Sequence, residues 1–187
     1  LALKNGEIDV VSDISPAVAQ SLKGEPNIAM YTINDSSAFE IGFNMKRYPT
    51  SIPAFRKAMS HAIDRDTISS IIGSGRPTET TFLVPSLAGE YVNPDVVGMY
   101  DYNMDKARQI LQEGGFTWNS KGNLIGPDGT PVTITIPLGT KGQALSANPK
   151  IVSVLKNDWG ALGIPVTTVS YEDQSQYRKA VGENPVF

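Results

Sequence analysis

The stretch that decides the fold class is PVTITIPLGTKGQALSANPKIVSVLKNDWGALGIPVTTVSY, residues 131–171. Apolar residues alternate with threonines from 131 to 137, which is the period-two pattern of a half-buried strand. Asn148-Pro149 predicts the start of a helix, because a capping residue precedes a proline at the first helical position. The β-rich run 164–171 predicts a second strand.

The residues between these two strands predict one helix with a single buried face. Its apolar positions recur at helical spacing, and Gly163 ends the helix. The predicted buried positions are Ile151, Leu155, Trp159 and Leu162. A strand–helix–strand unit pairs its strands in parallel through a right-handed crossover. Pro127-Asp128-Gly129 adds a hairpin turn before it. The sequence therefore predicts an α/β fold with a mixed sheet and flanking helices.

The remaining elements are predicted from caps, glycines and periodicity. The predicted strands are 8–11, 27–33 and a run around Phe39, Ile41 and Phe43, with a turn at 34–37. Five further helices are predicted. The first begins at Ser15-Pro16 and ends at Gly24, and the second carries the apolar stripe Ile52–Ile63. The third begins at the Asp64 cap and ends at 73–75, the fourth begins at the Asn103 cap and ends at 114–115, and the fifth runs from Asp173 to Val181. Residues 76–100 are predicted to be irregular.

Composition excludes several classes of protein. With 40% hydrophobic and 19% charged residues, the 187-residue chain has an ordinary globular composition. Its net charge of -3 gives no basic footprint for nucleic acid. The absence of cysteine excludes disulfides and thiolate-based metal sites within it. No apolar run approaches the ~20 residues that a membrane span requires. We expect neither a cofactor nor a metal site.

The segment FRKAMSHAIDR, residues 55–65, contains the single histidine of the chain and raises the possibility of hydrolase chemistry. A nucleophile, a base and an acid would be Ser60, His61 and Asp64. On a helix, however, adjacent side chains point about 100° apart, so Ser60 and His61 cannot form a relay with each other. We therefore expect Asp64 to cap a helix and His61 to be either a surface histidine or one whose hydrogen bonds are satisfied, and we expect no enzyme activity.

Four segments, together with FRKAMSHAIDR, resemble family 5 extracellular solute-binding proteins, the dipeptide, oligopeptide and nickel-type receptors of ABC importers. FRKAMSHAIDR is similar to the family pattern R-x-A-x-x-x-A-I-D-R. The four other similar segments, in order, are GEIDVV at 6–11, FEIGFNMKRYPTSIPAFRKA at 39–58, YDYNMDKARQILQEGGF at 100–116 and LKNDWGALGIPVTTVSYEDQSQYRKA at 155–180. Asn103-Met104 departs from the usual Asp-Pro, and Gly114 from the usual alanine, but both keep the cap and the stop of the helix.

The resemblance implies one lobe of a periplasmic-binding-protein type II clamp. Residues 1–37 would be a lobe-crossing segment and residues 38–187 the second lobe. The implied function is that of a solute-binding receptor, binding peptides in a cleft between lobes and delivering them to the importer's permease. A nickel-chelate or oligosaccharide receptor of the same family is the alternative. The parent receptor would be a monomer, periplasmic or extracellular and membrane-associated.

Candidate ligand-binding residues follow from the predicted topology. In open α/β sheets, ligands bind outside the carboxyl ends of parallel strands. One such end gives Leu138, Gly139, Thr140 and Lys141, and the other gives Tyr171 and Glu172. Ser36 and Ser37 are added because the chain is expected to cross between lobes there. A lysine could pair with a carboxylate of the solute, and a tyrosine could stack or donate a hydrogen bond.

Overall fold

The computed structural model describes residues 2–12, 14–31, 41–72, 91, 93–138 and 149–183. Helices and short strands mix along the chain, which confirms the α/β class. The helices are α1 Pro16–Leu22, α2 Pro53–His61, α3 Arg65–Ile72, α4 Met104–Glu113, α5 Pro149–Gly160 and α6 Gln174–Arg178. The strands are β1 Thr117–Trp118, β2 Leu124–Ile125, β3 Ile134–Leu138 and β4 Val166–Ser170.

Strands β3 and β4 pair in parallel, as the strand–helix–strand pattern predicts. The register runs from Ile134 opposite Val166 to Leu138 opposite Ser170. Helix α5 connects the two strands in sequence, and its predicted face is buried, with Trp159 1% exposed. The antiparallel component is the pair β1–β2, extended by a bridge between Ile125 and Pro131. Parallel and antiparallel pairs therefore form two small sheets in the described part of the chain.

Helix starts are where the capping chemistry predicts them. The Ser15 hydroxyl accepts a hydrogen bond from the Val18 amide at the start of α1. The side chains of Asp64, Asn103 and Asp173 accept equivalent bonds in α3, α4 and α6, each at 2.8–2.9 Å. Each cap satisfies an amide that the first turn of a helix leaves without an intrahelical acceptor. Residue 148 and the predicted stop at 73–75 lie outside the described residues.

Three of the predicted strands are wrong over the described residues. Residues 8–11, 27–31 and 41–43 are irregular rather than extended in a ladder. A β-rich composition becomes a strand only where a neighbouring strand supplies hydrogen-bond partners, and no described strand pairs with these runs. Residues 32–40, including the predicted turn at 34–37, lie outside the described residues. So do residues 76–90 of the long irregular stretch, whose described end contains a short 3-10 turn at Pro94–Val96.

One buried cluster joins α2, α4, α5 and both sheets. Its fully buried members include Phe55 and Phe116, whose ring centroids are 5.8 Å apart. Trp159 adds the α5 face, with the ring of Phe43 lying 6.3 Å away. Segment 2–31 is separate from this cluster, since its buried hydrophobic residue, Leu22, is not a member. No helix in the described ranges is long and apolar enough to cross a membrane.

Gly163 sets how closely the turn after α5 approaches the β1–β2 hairpin. Its φ is +82°, and its carbonyl oxygen accepts a hydrogen bond from the Leu124 amide at 2.8 Å. A Cβ atom at this position would lie 2.1 Å from the Gly122 carbonyl oxygen. Only glycine fits both the backbone angle and the contact. Gly163, the predicted end of α5, therefore also brings the start of the chain that leads into β4 against the β1–β2 hairpin.

Candidate functional site

The carboxyl ends of β3 and β4 lie at the same edge of the parallel pair. Leu138 is opposite Ser170 in the register, so the chain leaves both strands side by side. The strands are also joined near their other end, where the Thr135 and Thr167 hydroxyls are 2.9 Å apart. The two carboxyl ends are therefore neighbours, as the predicted parallel pairing requires, and we refer to Leu138 and residues 170–172 as the strand edge.

Two tyrosines mark the strand edge. Tyr171 follows β4 directly, and its ring contacts that of Tyr177 in α6. The ring centroids are 6.0 Å apart, and the angle between the ring planes is 72°. Both rings are half-buried, whereas Glu172 between them in sequence is exposed. Asp173 then caps α6, which fixes the start of the helix that carries Tyr177. An edge-to-face pair of this kind presents an apolar face together with two hydroxyl groups, which suits contact with an organic solute.

The structure places three of the predicted site residues and leaves five undescribed. Leu138, Tyr171 and Glu172 lie at the strand edge. Gly139, Thr140, Lys141, Ser36 and Ser37 are outside the described residues. Ser170 lies at the same edge, and Tyr177 contacts the edge through the ring of Tyr171, but both are missing from the sequence-based set. The signal for Tyr177 is its position four residues after the Asp173 cap, which is one helical turn from the start of α6.

The three reactive side chains of FRKAMSHAIDR, Ser60, His61 and Asp64, form hydrogen bonds with other groups rather than with one another. The Ser60 hydroxyl donates to the Arg56 carbonyl at 3.2 Å. The buried His61 donates from Nδ1 to the Asp101 carbonyl at 2.8 Å, and its ring packs edge-on against Tyr100. Asp64 accepts from the amide and hydroxyl of Thr67. The relay that hydrolysis would require is therefore not formed by these three residues.

Arg65 joins the end of this segment to the chain before α4. Its Nη1 donates to the Ser60 carbonyl at 3.0 Å, the Tyr100 carbonyl at 3.2 Å and the Ile63 carbonyl at 3.4 Å. Burial lowers the pKa of the guanidinium, and the charge of Asp101 opposes that shift. The guanidinium satisfies carbonyl groups around the α2–α3 turn, which is a structural role.

An acidic contact ties α5 to the same turn. Asp158 Oδ2 accepts from the Asp64 amide at 2.9 Å, and the Tyr102 hydroxyl lies 3.4 Å from Oδ1. Burial raises the pKa of Asp158, and the nearby Asp64 carboxylate adds to the rise, while the hydrogen bonds from the Asp64 amide and Tyr102 oppose it. Burial and the same two carboxylates raise the pKa of Tyr102. This contact lies among the helices, between α5 and the α2–α3 turn, rather than at the strand edge.

The order of elements and the segments described above correspond to a known family. "Bacterial extracellular solute-binding proteins, family 5 Middle" matches residues 1–185. The chain belongs to this family. The resemblance seen in the sequence segments is thereby confirmed, and FRKAMSHAIDR is part of the scaffold of a family 5 chain.

Individual relatives agree with the family and show its range. Heme-binding protein A of Haemophilus influenzae is 25% identical over 97% of this chain. Di/tripeptide-binding protein 1 of Pseudomonas aeruginosa is 24% identical over 96% of it. The oligopeptide-binding protein AppA of Bacillus subtilis, solved in complex with a nonapeptide, superposes with a TM-score of 0.73 at 22% identity and covers 98% of this chain.

These relatives are longer than the 187-residue chain. The chain spans 30% of the Haemophilus protein, 31% of the Pseudomonas protein and 36% of the AppA structure. The structural likeness confirms the fold, that of a lobe of a type II clamp. A binding site formed between two lobes would include residues that this chain does not contain.

Proposed function

We propose that the chain is part of the solute-binding receptor of an ABC importer, and that the receptor binds peptides in a cleft between lobes. The observation that carries the proposal is the family match over residues 1–185. Residues 38–187 form the second lobe in this proposal, and residues 1–37 cross between the lobes. The receptor acts outside the cytoplasmic membrane, as a monomer, and delivers its solute to a permease.

The strand edge is the proposed contact surface on this lobe. Tyr171 supplies an aromatic face held by Tyr177, and Leu138 supplies an apolar contact on the neighbouring strand. Gly139, Thr140, Lys141, Ser36, Ser37 and Glu172 complete the proposed set. The charges of Lys141 and Glu172 in this set suit the two charged ends of a short peptide.

Binding without catalysis is the proposed mode of action. Its support is that the relatives carry the names of binding proteins and that Ser60, His61 and Asp64 contact other groups. The named relatives differ in solute, since one is a heme-binding protein and another a di/tripeptide-binding protein. Peptides are proposed first because a peptide-binding relative and a nonapeptide complex are both among the similar proteins. Nickel chelates and oligosaccharides remain the alternatives.

Calorimetry on the full-length receptor tests the proposal with three probes: a mixed dipeptide library, a nonapeptide library and heme. Saturable binding of peptides supports the function, and binding of heme alone overturns the choice of peptides. A Tyr171→Ala variant should weaken the measured affinity about tenfold or more, because a buried aromatic contact is a typical hot spot.

The matched control is Tyr91→Ala, which removes the ring of a tyrosine that is 77% exposed on another segment. It should leave the affinity unchanged. If peptides bind equally well to the Tyr171 variant, the receptor function stands and the strand edge is the wrong contact surface. If no probe binds to the native receptor, peptides and heme are excluded, and a nickel chelate and an oligosaccharide are titrated in the same way. If these do not bind either, the function itself is wrong.

A further inference from the structure

Asn5-Gly6 is the single Asn-Gly pair in the 187 residues, and it lies in a surface turn. Both residues are exposed, and Gly6 has a φ of +71°. A Cβ atom added at Gly6 would have nothing within 4 Å. The backbone nitrogen of a glycine can approach another group closely, because no Cβ atom shields it. The pair therefore places an accessible backbone nitrogen directly after a side-chain amide.

The hydrogen bonds of this turn leave both groups able to react with each other. The Gly6 amide donates to the Leu3 carbonyl at 3.2 Å, the long end of the ordinary range, so the nitrogen is released at little cost. The Asn5 Nδ2 atom donates to Glu7 Oε1 at 2.9 Å. That bond holds the side-chain amide by its nitrogen and is itself exposed to solvent, so water readily replaces it.

We infer that Asn5 is a site of spontaneous deamidation, in which the polypeptide modifies itself and water is the co-reactant. The Gly6 nitrogen forms a bond to Asn5 Cγ and gives its proton to water, the bond from Cγ to Nδ2 breaks, and ammonia leaves. Water then adds to one of the two carbonyl carbons of the resulting succinimide ring and breaks the ring C–N bond at that carbon. The product is aspartate or isoaspartate, and no oxidant or reductant takes part. The inference is independent of which solute the receptor binds.

The modification would change the charge and the backbone of the turn formed by residues 2–7. Aspartate at position 5 places a carboxylate where an amide now donates to Glu7, so two negative charges would face each other. Isoaspartate also lengthens the backbone by a carbon atom. The turn that it lengthens is closed by the hydrogen bond from the Glu7 amide to the Ala2 carbonyl at 3.0 Å. Deamidation should therefore loosen this turn.

Asn119-Ser120 is a similar pair that the structure holds in an unreactive position. Asn119 is exposed and also precedes a small residue. Its Oδ1 atom, however, accepts hydrogen bonds from the amides of Lys121 at 2.9 Å and Asn123 at 3.0 Å. Two backbone donors fix the side chain in one orientation, whereas Asn5 is held through its Nδ2 atom by a flexible side chain. The two asparagines therefore differ in how the fold holds them.

Asp128-Gly129 offers the same glycine geometry with a different electrophile. Gly129 has a φ of +81° and open space around an added Cβ atom, as Gly6 has. Hydrogen bonds from Thr130, that of its backbone amide first, hold the pKa of the Asp128 carboxyl below its ordinary value. The carboxyl group is therefore ionised at neutral pH, and its negative charge opposes attack by a nucleophile. Succinimide formation at Asp128 should be slow in the folded protein.

Peptide mass spectrometry of the full-length receptor, incubated at mildly alkaline pH, tests the inference. The rate at which each asparagine peptide gains the mass expected from replacing NH2 by OH is measured in the native receptor and in the receptor unfolded in guanidinium chloride. The ratio of the native rate to the unfolded rate removes the intrinsic effect of the following residue. Asn119 is the matched control. Asn5→Gln identifies the signal, because glutamine would have to form a less favourable six-membered ring.

The ratio of native to unfolded rate should be at least about tenfold higher for Asn5 than for Asn119, because misplacing a reacting group can slow a reaction by orders of magnitude. Asn5→Gln should show no mass gain at position 5 on the same time scale. Isoaspartate should form more slowly at Asp128 than at position 5 in the native receptor. A ratio for Asn5 that is no higher than the ratio for Asn119 would overturn the inference, as would isoaspartate that forms as fast at Asp128 as at position 5.

Discussion

Replacing Gly163 by alanine should be one of the most destabilising single-methyl changes in this lobe. The residue has a φ of +82°, and an alanine there costs about 1–2 kcal/mol of backbone strain. Its Cβ would also lie 2.1 Å from the Gly122 carbonyl oxygen and 3.1 Å from the Leu124 amide nitrogen. These neighbours are backbone atoms and cannot move aside by rotating a side chain. Relieving the overlap should cost about 1–3 kcal/mol more.

The displacement should also weaken the hydrogen bond from the Leu124 amide to the Gly163 carbonyl, which measures 2.8 Å. A bond of this kind contributes about 1 kcal/mol. The free energy of unfolding should therefore fall by about 2–6 kcal/mol in total. In urea unfolding followed by circular dichroism, the midpoint should fall by about 1 M or more.

Two other glycines separate the causes of this loss. Gly129 has a φ of +81° but open space where an added methyl group would lie, so Gly129→Ala measures backbone strain without a clash. Gly160, at the end of α5, has open space and no positive φ, so Gly160→Ala should leave stability unchanged or slightly raised. If Gly163→Ala and Gly129→Ala have the same midpoint, the close approach of the turn to the hairpin is refuted.

Two further predictions concern the helix layer. Arg65→Met should lower the free energy of unfolding by about 3 kcal/mol, because it leaves the Ser60 and Tyr100 carbonyls without their charged donor. The control is Arg47→Met, at an exposed arginine, which should change the free energy of unfolding by less than about 0.5 kcal/mol in the same urea titration. Asp158→Asn should alter the pH dependence of stability. The pKa of Asp158 is raised in the folded protein, so folding favours the protonated carboxyl group. The stability that this preference contributes is fully present below the ordinary pKa of 3.8 and is lost as the pH rises through the pKa of the folded protein. The stability of the Asn variant relative to the native protein should therefore increase as the pH rises above 3.8, and a constant difference would contradict the assignment.

The parts of the fold that sequence predicts well are those set by local chemistry. Ser15, Asp64, Asn103 and Asp173 each cap a helix because a short polar side chain can reach an amide of the first turn. The parallel pairing of β3 with β4 also follows from the order of the chain, because a helix of suitable length connects them. Neither inference needs information about distant residues.

Strands that depend on distant partners are predicted less well. Residues 8–11 have the same β-rich composition as β4, but no described strand pairs with them, and they are irregular. The pair β1–β2 shows the opposite case, in which strands form but their sequence does not indicate them, because two-residue strands are too short to show alternation. The same limit applies to the site. Topology brings Leu138 and Tyr171 to one edge, whereas Tyr177 joins them through the packing of α6.

The reactive residue types of FRKAMSHAIDR have a structural explanation, because the segment lies at a joint where several helix ends meet. The carbonyl of His61, at the end of α2, accepts from the Asn103 amide at 2.9 Å, where α4 begins. The amide of Asp64 donates to Asp158 near the end of α5. Four helix ends therefore meet within a few residues of the segment that suggested hydrolysis. Helix ends leave amides and carbonyls without intrahelical partners, and a joint of this kind needs polar and charged side chains to satisfy them. Because these side chains are engaged there, the strand edge with Tyr171 and Tyr177 is the better candidate for contact with a solute.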